Sequence, residues 1–410
     1  MSPLENKLAE AVLERIRSRR LMQPEGNLGG ATGLPAKTSA ATKVREAQFA
    51  DCERVCAFNL RLGQGPDSPE NWKRLWLDNP AIVQGNATPR IGWVLEDSGE
   101  IVGFLGSIPL LYEYQGKTLI AAATCRLAVE PAYRAFSHLL LSSFFRQKDV
   151  DLFLNTSATV AAGKMMTALK AEQLPQKNYG TVLFWILDSR SFAKSALERM
   201  GLGSFLTGVG SIAASLVLKG DVTFRGRLPQ SKSKVFSIVE TPVSEIGPEF
   251  LQLWAERTNQ PKLLMAKRSP EIVRWHFTAP GNRRVTRVLS CYSQGKFQGY
   301  IIVRHEGEAS AGLRRSLVAD LMLRSEDPRV IEALFAAACN SAKHARSHII
   351  EVMGFPGKIR QMLSRWKPYS RMYPACPFFY KARDRALHEK LASEDAWYAS
   401  PFDGDATLWP

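Results

Sequence analysis

The chain has 410 residues, enough for two or three domains. With 45% apolar, 10% aromatic and 23% charged residues it has the makeup of folded globular domains, which excludes collagen-like, coiled-coil and wholesale disordered classes. Its 54 Lys and Arg against 39 Asp and Glu, a net charge of +15, favour anionic partners: nucleic acid, anionic lipid, an acidic carrier protein or a phosphate-bearing ligand.

Taken in chain order, the first twenty residues mix acids and bases on a helical pattern without the apolar core of a signal peptide, so the chain reads as cytoplasmic. Residues 22–42, rich in Gly, Pro, Ser, Thr and Ala, read as a flexible linker. Ser68-Pro69-Glu70 starts a helix: Ser caps, Pro tolerates the first turn and Glu suits the positive helix end. Strands over 92–95 and 101–109 then flank a turn at Gly99. A further strand over 119–129, a helix over 134–147, a strand over 151–155 and a helix over 158–173 follow.

Residues 201–218 carry no charge but hold four Gly, three Ser and a Thr, a poor composition for spanning a membrane, so a docked linker helix is expected. A basic, turn-rich break covers 219–234. Beyond it the pattern returns: Ser269-Pro270-Glu271, strands over 285–292 and 299–305 around Gly295, a strand over 316–323, a helix over 329–346, a strand over 349–353 and a helix over 358–366. A repeat this long is a domain duplication. The expected layout is a helix and linker over 1–42, a first unit over 43–188, a helical linker over 189–233, a second unit over 234–381, and a tail over 382–410 lying on a domain surface.

The six scattered cysteines read as buried thiols of a reducing compartment. The six histidines show no metal-ligand spacing with cysteines or carboxylates. Walker, dinucleotide and nucleophile-elbow motifs are absent from the sequence.

One segment carries chemistry. A strand runs into Val129-Glu130-Pro131, and Arg134-x-x-Ser137-x-Leu139 opens an apolar helix. This resembles the acyl-CoA-binding motif of the GNAT N-acetyltransferase superfamily, and the element order matches too. The resemblance covers about 43–188 and, more loosely, 234–381. The ending at 395–405 is similar to tails of GNAT-like proteins from bacterial polysaccharide gene clusters. The resemblance implies an α/β protein of two GNAT-like domains, each a mixed, mostly antiparallel sheet flanked by helices. It also implies an acyl-CoA, expected to be acetyl-CoA, as co-substrate without a metal, and transfer to an amine or hydroxyl of a small-molecule or sugar acceptor.

By that carry-over, Leu127 and Val129 offer main-chain groups to the pantetheine arm. Arg134, Ala135, Ser137, His138 and Leu139 surround the pyrophosphate at a helix start, where free N–H groups and the helix dipole favour phosphate. Asn155, ending the next strand, touches the cofactor or caps the turn. Glu130 is the nearest acid to the expected thioester and the candidate general base, or else a plain helix-cap acid. Ser137 and Leu139 stand where the family has small residues, and the motif strand has no carboxylate. In the second unit, residues 324–329 hold Glu326 and Asp327 and no glycine, so that loop repels phosphate.

Two other readings stay open: a basic GNAT-like scaffold binding polysaccharide or, less expectedly, nucleic acid, and a transferase whose donor is an acyl carrier protein. The scaffold reading draws on residues 356–373, which hold five cations, no acids, Trp366, Tyr369 and Tyr373. Because residues 1–41 bring few large apolar groups to any core, a chain beginning at Thr42 is expected to melt within a few degrees of the full chain. A collapse in soluble yield would show that the N-terminal helix docks on a domain.

Overall fold

Three two-residue turns organise the chain's longest strands. Ser98-Gly99, Gln115-Gly116 and Gln294-Gly295 all have positive φ at both positions, the geometry that matches the twist of a β-hairpin. They join β2 (Gly92–Asp97) to β3 (Glu100–Tyr114), β3 to β4 (Lys117–Val129), and β10 (Val285–Ser293) to β11 (Lys296–Glu308). The computed structural model describes residues 42–409 apart from 89, 200–203, 225, 230–234, 259–262, 282–283, 309–311 and 373–376. The expected N-terminal helix and nearly all of its linker lie outside the described residues.

The architecture is α/β, with two mixed sheets flanked by helices. The first runs β1 (Lys43–Glu46), β2, β3, β4, β5 (Leu152–Asn155), β15 (Phe379–Ala382) and β6 (Glu172–Gln173), with β9 (Met265–Ala266) joined to β3. The second runs β14 (Tyr369–Met372), β7 (Thr181–Ile186), β13 (Ile349–Val352), β12 (Arg314–Leu323), β11, β10 and β8 (Phe236–Pro242). Each sheet has a parallel pair, β4 with β5 and β12 with β13, in a setting of antiparallel neighbours. The helices Ser137–Phe145 and Pro328–His344 make the two crossovers.

β3 extends well past the expected end at residue 109. Pro109 is accommodated because β2 pairs with β3 only as far as Gly106, so the missing N–H leaves no gap in that ladder. The Pro109 carbonyl instead accepts from Asn79 Nδ2 at 2.9 Å.

The two expected units exchange strands. β7 falls within the stretch 43–188 but pairs antiparallel with β13 in the second sheet. β15 falls at the end of 234–381 but pairs antiparallel with β5 in the first. The boundaries at 188 and 381 therefore do not separate the two sheets. The helices Ser189–Arg199 and Ser204–Phe224 pack on the second sheet: Phe192, Ala193, Leu197, Ala214 and Leu218 cover Phe184, Ile186 and Ile349. Among the described residues, no helix is long and apolar enough to cross a membrane.

The C-terminal segment is not a surface tail. Trp397, Tyr398, Phe402 and Leu408 are buried, and Phe402 stacks on His276 with ring centroids 4.0 Å apart. Aromatic side chains of this size stabilise by leaving water, so a segment dense in them is drawn into a core. A charged centre locks it there. Arg268 Nε lies 2.9 Å from Asp320 Oδ2 and Arg268 Nη2 lies 3.2 Å from Asp403 Oδ2, with all three side chains at most 2% exposed. Arg268 Nη1 also donates to the Ala266 carbonyl at 2.7 Å, Tyr300 to Asp320 at 2.8 Å, and the Ser400 amide to Asp403 at 2.8 Å.

Removing the guanidinium strands two buried carboxylates. Arg268→Met is expected to cost about 3–5 kcal/mol at pH 7. Burial already pushes the Asp403 carboxyl up, and loss of Arg268 pushes it further. A group whose folded pKa lies above its unfolded one contributes stability at low pH that is lost as pH rises through the folded value. The deficit of Arg268→Met should therefore shrink between pH 7 and pH 5 in urea titrations. An equal deficit at both pH values would contradict this account of the charged centre.

Candidate active site

The site begins where β4 and β5 part. The ladder between them joins Ala121 to Leu152, Ala122 to Phe153 and Ala123 to Leu154, and stops there. β4 continues to Val129, and among the described residues no strand pairs with 124–129 on that side. β5 can leave because its far edge is held by β15, from Leu152 opposite Ala382 to Asn155 opposite Phe379. The result is a fork whose β4 arm has no partner strand on its β5 side among the described residues.

That arm is bulged. Against β3, Ala128 sits opposite Phe104 and Cys125 opposite Gly106, so Arg126 and Leu127 share the single residue Leu105. Arg126 has φ 53, an uncommon conformation for a residue with a side chain. Such a bulge turns peptide groups out of the ladder, here at the mouth of the fork. Gly106 makes the close approach possible: a Cβ there would lie 2.3 Å from Cys125 Sγ.

Val129 is paired with Gly103 and partly buried, and the Leu127 carbonyl accepts from Gln64 Nε2 at 3.3 Å. Residues 131–136 form a 3-10 turn rather than the first turn of the expected helix, and the α-helix starts at Ser137. Arg134 and Ala135 are exposed on this turn, His138 Nδ1 lies 2.7 Å from the Ala135 carbonyl, and Leu139 is exposed. Ser137 is buried, and its hydroxyl donates to the Arg134 carbonyl at 2.8 Å. No side chain caps the helix start. Asn155 accepts from the Ser157 amide at 3.1 Å, fixing the turn that leaves β5. Glu130 is held in an ion pair with Arg61 at 2.7 Å on a partly exposed face.

Spatial neighbours come from far along the chain. Asp405 is buried; its Oδ1 accepts from Thr156 Oγ1 at 2.8 Å and its Oδ2 from Trp409 Nε1 at 3.2 Å. The Arg126 guanidinium lies over the Trp409 ring, 4.2 Å from its centroid. Burial pushes the Asp405 carboxyl up, opposed by the hydrogen bonds from Thr156 and Trp409 and by the charge of Arg126. Burial also pushes the Cys125 thiol well up, which makes it a poor nucleophile. Sequence reasoning missed Asp405, Thr156, Arg126 and Trp409. The signal for two of them was the aromatic density of residues 397–409, which is foreign to a solvated tail.

The matching loop of the second unit is closed by its own carboxylate. Asp327 accepts from the Arg329 amide at 2.8 Å and pairs with its guanidinium at 2.8 Å. Glu326 pairs with Lys358 at 3.2 Å. The basic stretch at 356–373 is largely structural: Arg360 is buried and donates to the Gly354 and Thr181 carbonyls, Arg371 pairs with Glu351, and Trp366 stacks on Phe335. Tyr373 lies outside the described residues. The five described cysteines are free and buried, except for the partly buried Cys56. Among the described residues, no group of three or more His, Cys, Asp or Glu is placed to hold a metal ion.

No protein-family model matches the sequence, and no curated protein matches it. Solved structures do. A GCN5-related N-acetyltransferase from Anabaena variabilis is 11% identical, with a TM-score of 0.53 over 84% of this chain and 73% of its own. A probable N-acyltransferase from Enterococcus faecalis is 10% identical, with a TM-score of 0.53 over 83% and 72%. Saccharomyces cerevisiae N-myristoyltransferase with bound myristoyl-CoA is 11% identical, with a TM-score of 0.51 over 98% and 97%. At such identities the likeness is one of fold alone.

The bulge makes a local prediction. Gly106→Ala should destabilise by roughly 1–3 kcal/mol through overpacking against Cys125. Gly106→Ala combined with Cys125→Ala should recover part of that loss in denaturant titrations. Strict additivity would contradict the close contact.

Proposed function

We propose that the chain is an acyl-CoA-dependent acyltransferase of GNAT type, with the donor held by the first unit and acetyl as the expected acyl group. The observation that carries this reading is the stretch 124–129, which among the described residues has no partner strand on its β5 side. A pantetheine arm has amide groups that pair with an open strand edge as a missing strand would, and Leu127 and Val129 lie on that edge. The bulge at Arg126 and Leu127 supplies a turned-out peptide for the thioester carbonyl, whose oxygen gains negative charge as it is attacked.

No side chain caps the helix start at Ser137; the Ser137 amide itself bonds to the Arg134 carbonyl, and the positive end of the helix dipole favours a pyrophosphate there. Arg134 adds a cation beside it, and Ala135, His138 and Leu139 form the surrounding surface. The yeast N-myristoyltransferase of like fold carries its acyl-CoA, which supports a CoA thioester as donor. The second unit takes no donor in this reading, because Asp327 occupies its helix start. The acceptor is a small molecule or sugar bearing an amine or hydroxyl, reaching the thioester from the junction of the two units.

Ser137→Glu tests the donor site. Each phosphate–carboxylate pair at ~4 Å costs on the order of 1–4 kcal/mol, so acetyl-CoA affinity by calorimetry should fall about tenfold to several-hundredfold. Arg134→Ala should act in the same direction but less strongly, and Arg329→Ala should change nothing. Thermal melts of each variant separate lost binding from lost fold. Loss of binding in Arg329→Ala alone would move the donor to the second unit.

A further inference from the structure

Asp405 occupies the apex of the fork. Thr156, which holds Oδ1, directly follows the last residue of β5. Trp409, which holds Oδ2, lies under the guanidinium of Arg126, a bulge residue of β4. The carboxylate thus touches one arm directly and the other through one ring. The C-terminal segment is pressed into this place: Gly404 has φ 93, and a Cβ on it would meet Thr156 Cγ2 at 2.2 Å. Glu130, by contrast, is spent on Arg61 beyond the bulge.

Among the described residues, three ionisable groups from other elements interact with Asp405. Arg126 and Cys125 come from β4, and Tyr179 comes from the segment before β7. Burial keeps both Tyr179 and Cys125 protonated at neutral pH. Each Asp405 oxygen accepts from one protein donor, Thr156 at Oδ1 and Trp409 at Oδ2, which leaves a lone pair on each for a further cationic donor, and burial pushes the carboxyl up.

Resting on the acyltransferase reading above, we propose that Asp405 is the proton acceptor for the incoming nucleophile, and that the acceptor is a primary amine bound as its ammonium ion. The ammonium gives one proton to the Asp405 carboxylate. The freed nitrogen attacks the thioester carbonyl and the C–N bond forms. The C–S bond then breaks, CoA leaves as a thiolate that takes the second proton from nitrogen, and Asp405 returns its proton to solvent. The products are an amide and free CoA.

The test measures thiol release from acetyl-CoA by the full-length chain with two kinds of nucleophile. One is a panel of simple primary amines, glucosamine among them, which are charged at neutral pH. The other is hydroxylamine, which is largely unprotonated there and needs no base. Asp405→Asn should keep acetyl-CoA affinity within about twofold by calorimetry and keep its hydroxylamine rate. It should lose about 10²–10⁴-fold in kcat/KM for the amines, together with the acid limb of their pH profile.

Asp405→Glu should restore part of the amine rate. Thr156→Val removes a hydrogen bond that favours the ionised carboxylate, so it should move the acid limb up by about half to one pH unit. This variant keeps the test intact if Asp405→Asn misfolds. Three results overturn the proposal: an unchanged acid limb in Asp405→Asn or Thr156→Val, equal losses with hydroxylamine and amines, or a parent enzyme that acylates hydroxylamine and none of the charged amines. Loss of the limb in Glu130→Gln instead would assign the role to Glu130. A parent that binds no acetyl-CoA overturns the acyltransferase reading itself, which is a separate outcome.

Discussion

The buried guanidinium of Arg268 is the constraint on which the rest of the architecture depends. It follows β9, which pairs with β3 of the first sheet, and it binds Asp320 from β12 of the second sheet and Asp403 from the C-terminal segment. A charge removed from water is tolerated only when its partners are fixed, so these three parts of the chain must meet in one geometry. With Asp403 held, the next two residues, Gly404 and Asp405, are delivered to Thr156. Stability and the composition of the fork are therefore set by the same contact.

Strand exchange gives the fork its shape. β5 has only four residues, and its ladder with β4 joins three of them. A strand so short would be a weak edge, but β15 arrives from the far end of the chain and satisfies its other side. β4 is then free to run on past the point of parting. In the second sheet, β7 plays the corresponding part beside β13. There, however, β12 ends near the acidic turn whose Asp327 caps its own helix. The same topology thus yields one helix start without a side-chain cap and one capped by Asp327.

Local features were legible in the sequence because they rest on neighbouring residues. The hairpin turns at Gly99 and Gly295, the motif strand ending at Val129, the helix that follows it and the capped helix at Ser68 all depend on short-range chemistry. The strands β7 and β15 were not anticipated, and their exchange was not legible, since a short apolar run such as Val182–Ile186 marks at most a strand without naming its partner. The 3-10 turn over 131–136 was also missed, and it moves Arg134 off the α-helix.

For the site, proximity in sequence pointed to Glu130, which the fold ties to Arg61. Proximity in space points to Asp405, 275 residues further on. The apolar content of Trp397, Tyr398, Phe402, Leu408 and Trp409 was the available sign that this segment belongs inside.

The central claim is that acyl-CoA lies along the open arm of β4 and the helix start at Ser137. Amide hydrogen exchange of the full chain with and without acetyl-CoA tests it most directly. The account predicts added protection at residues 124–129 and 137–140 and unchanged exchange at 324–331. Protection confined to 324–331, or bound acetyl-CoA with no change at the fork, would contradict it.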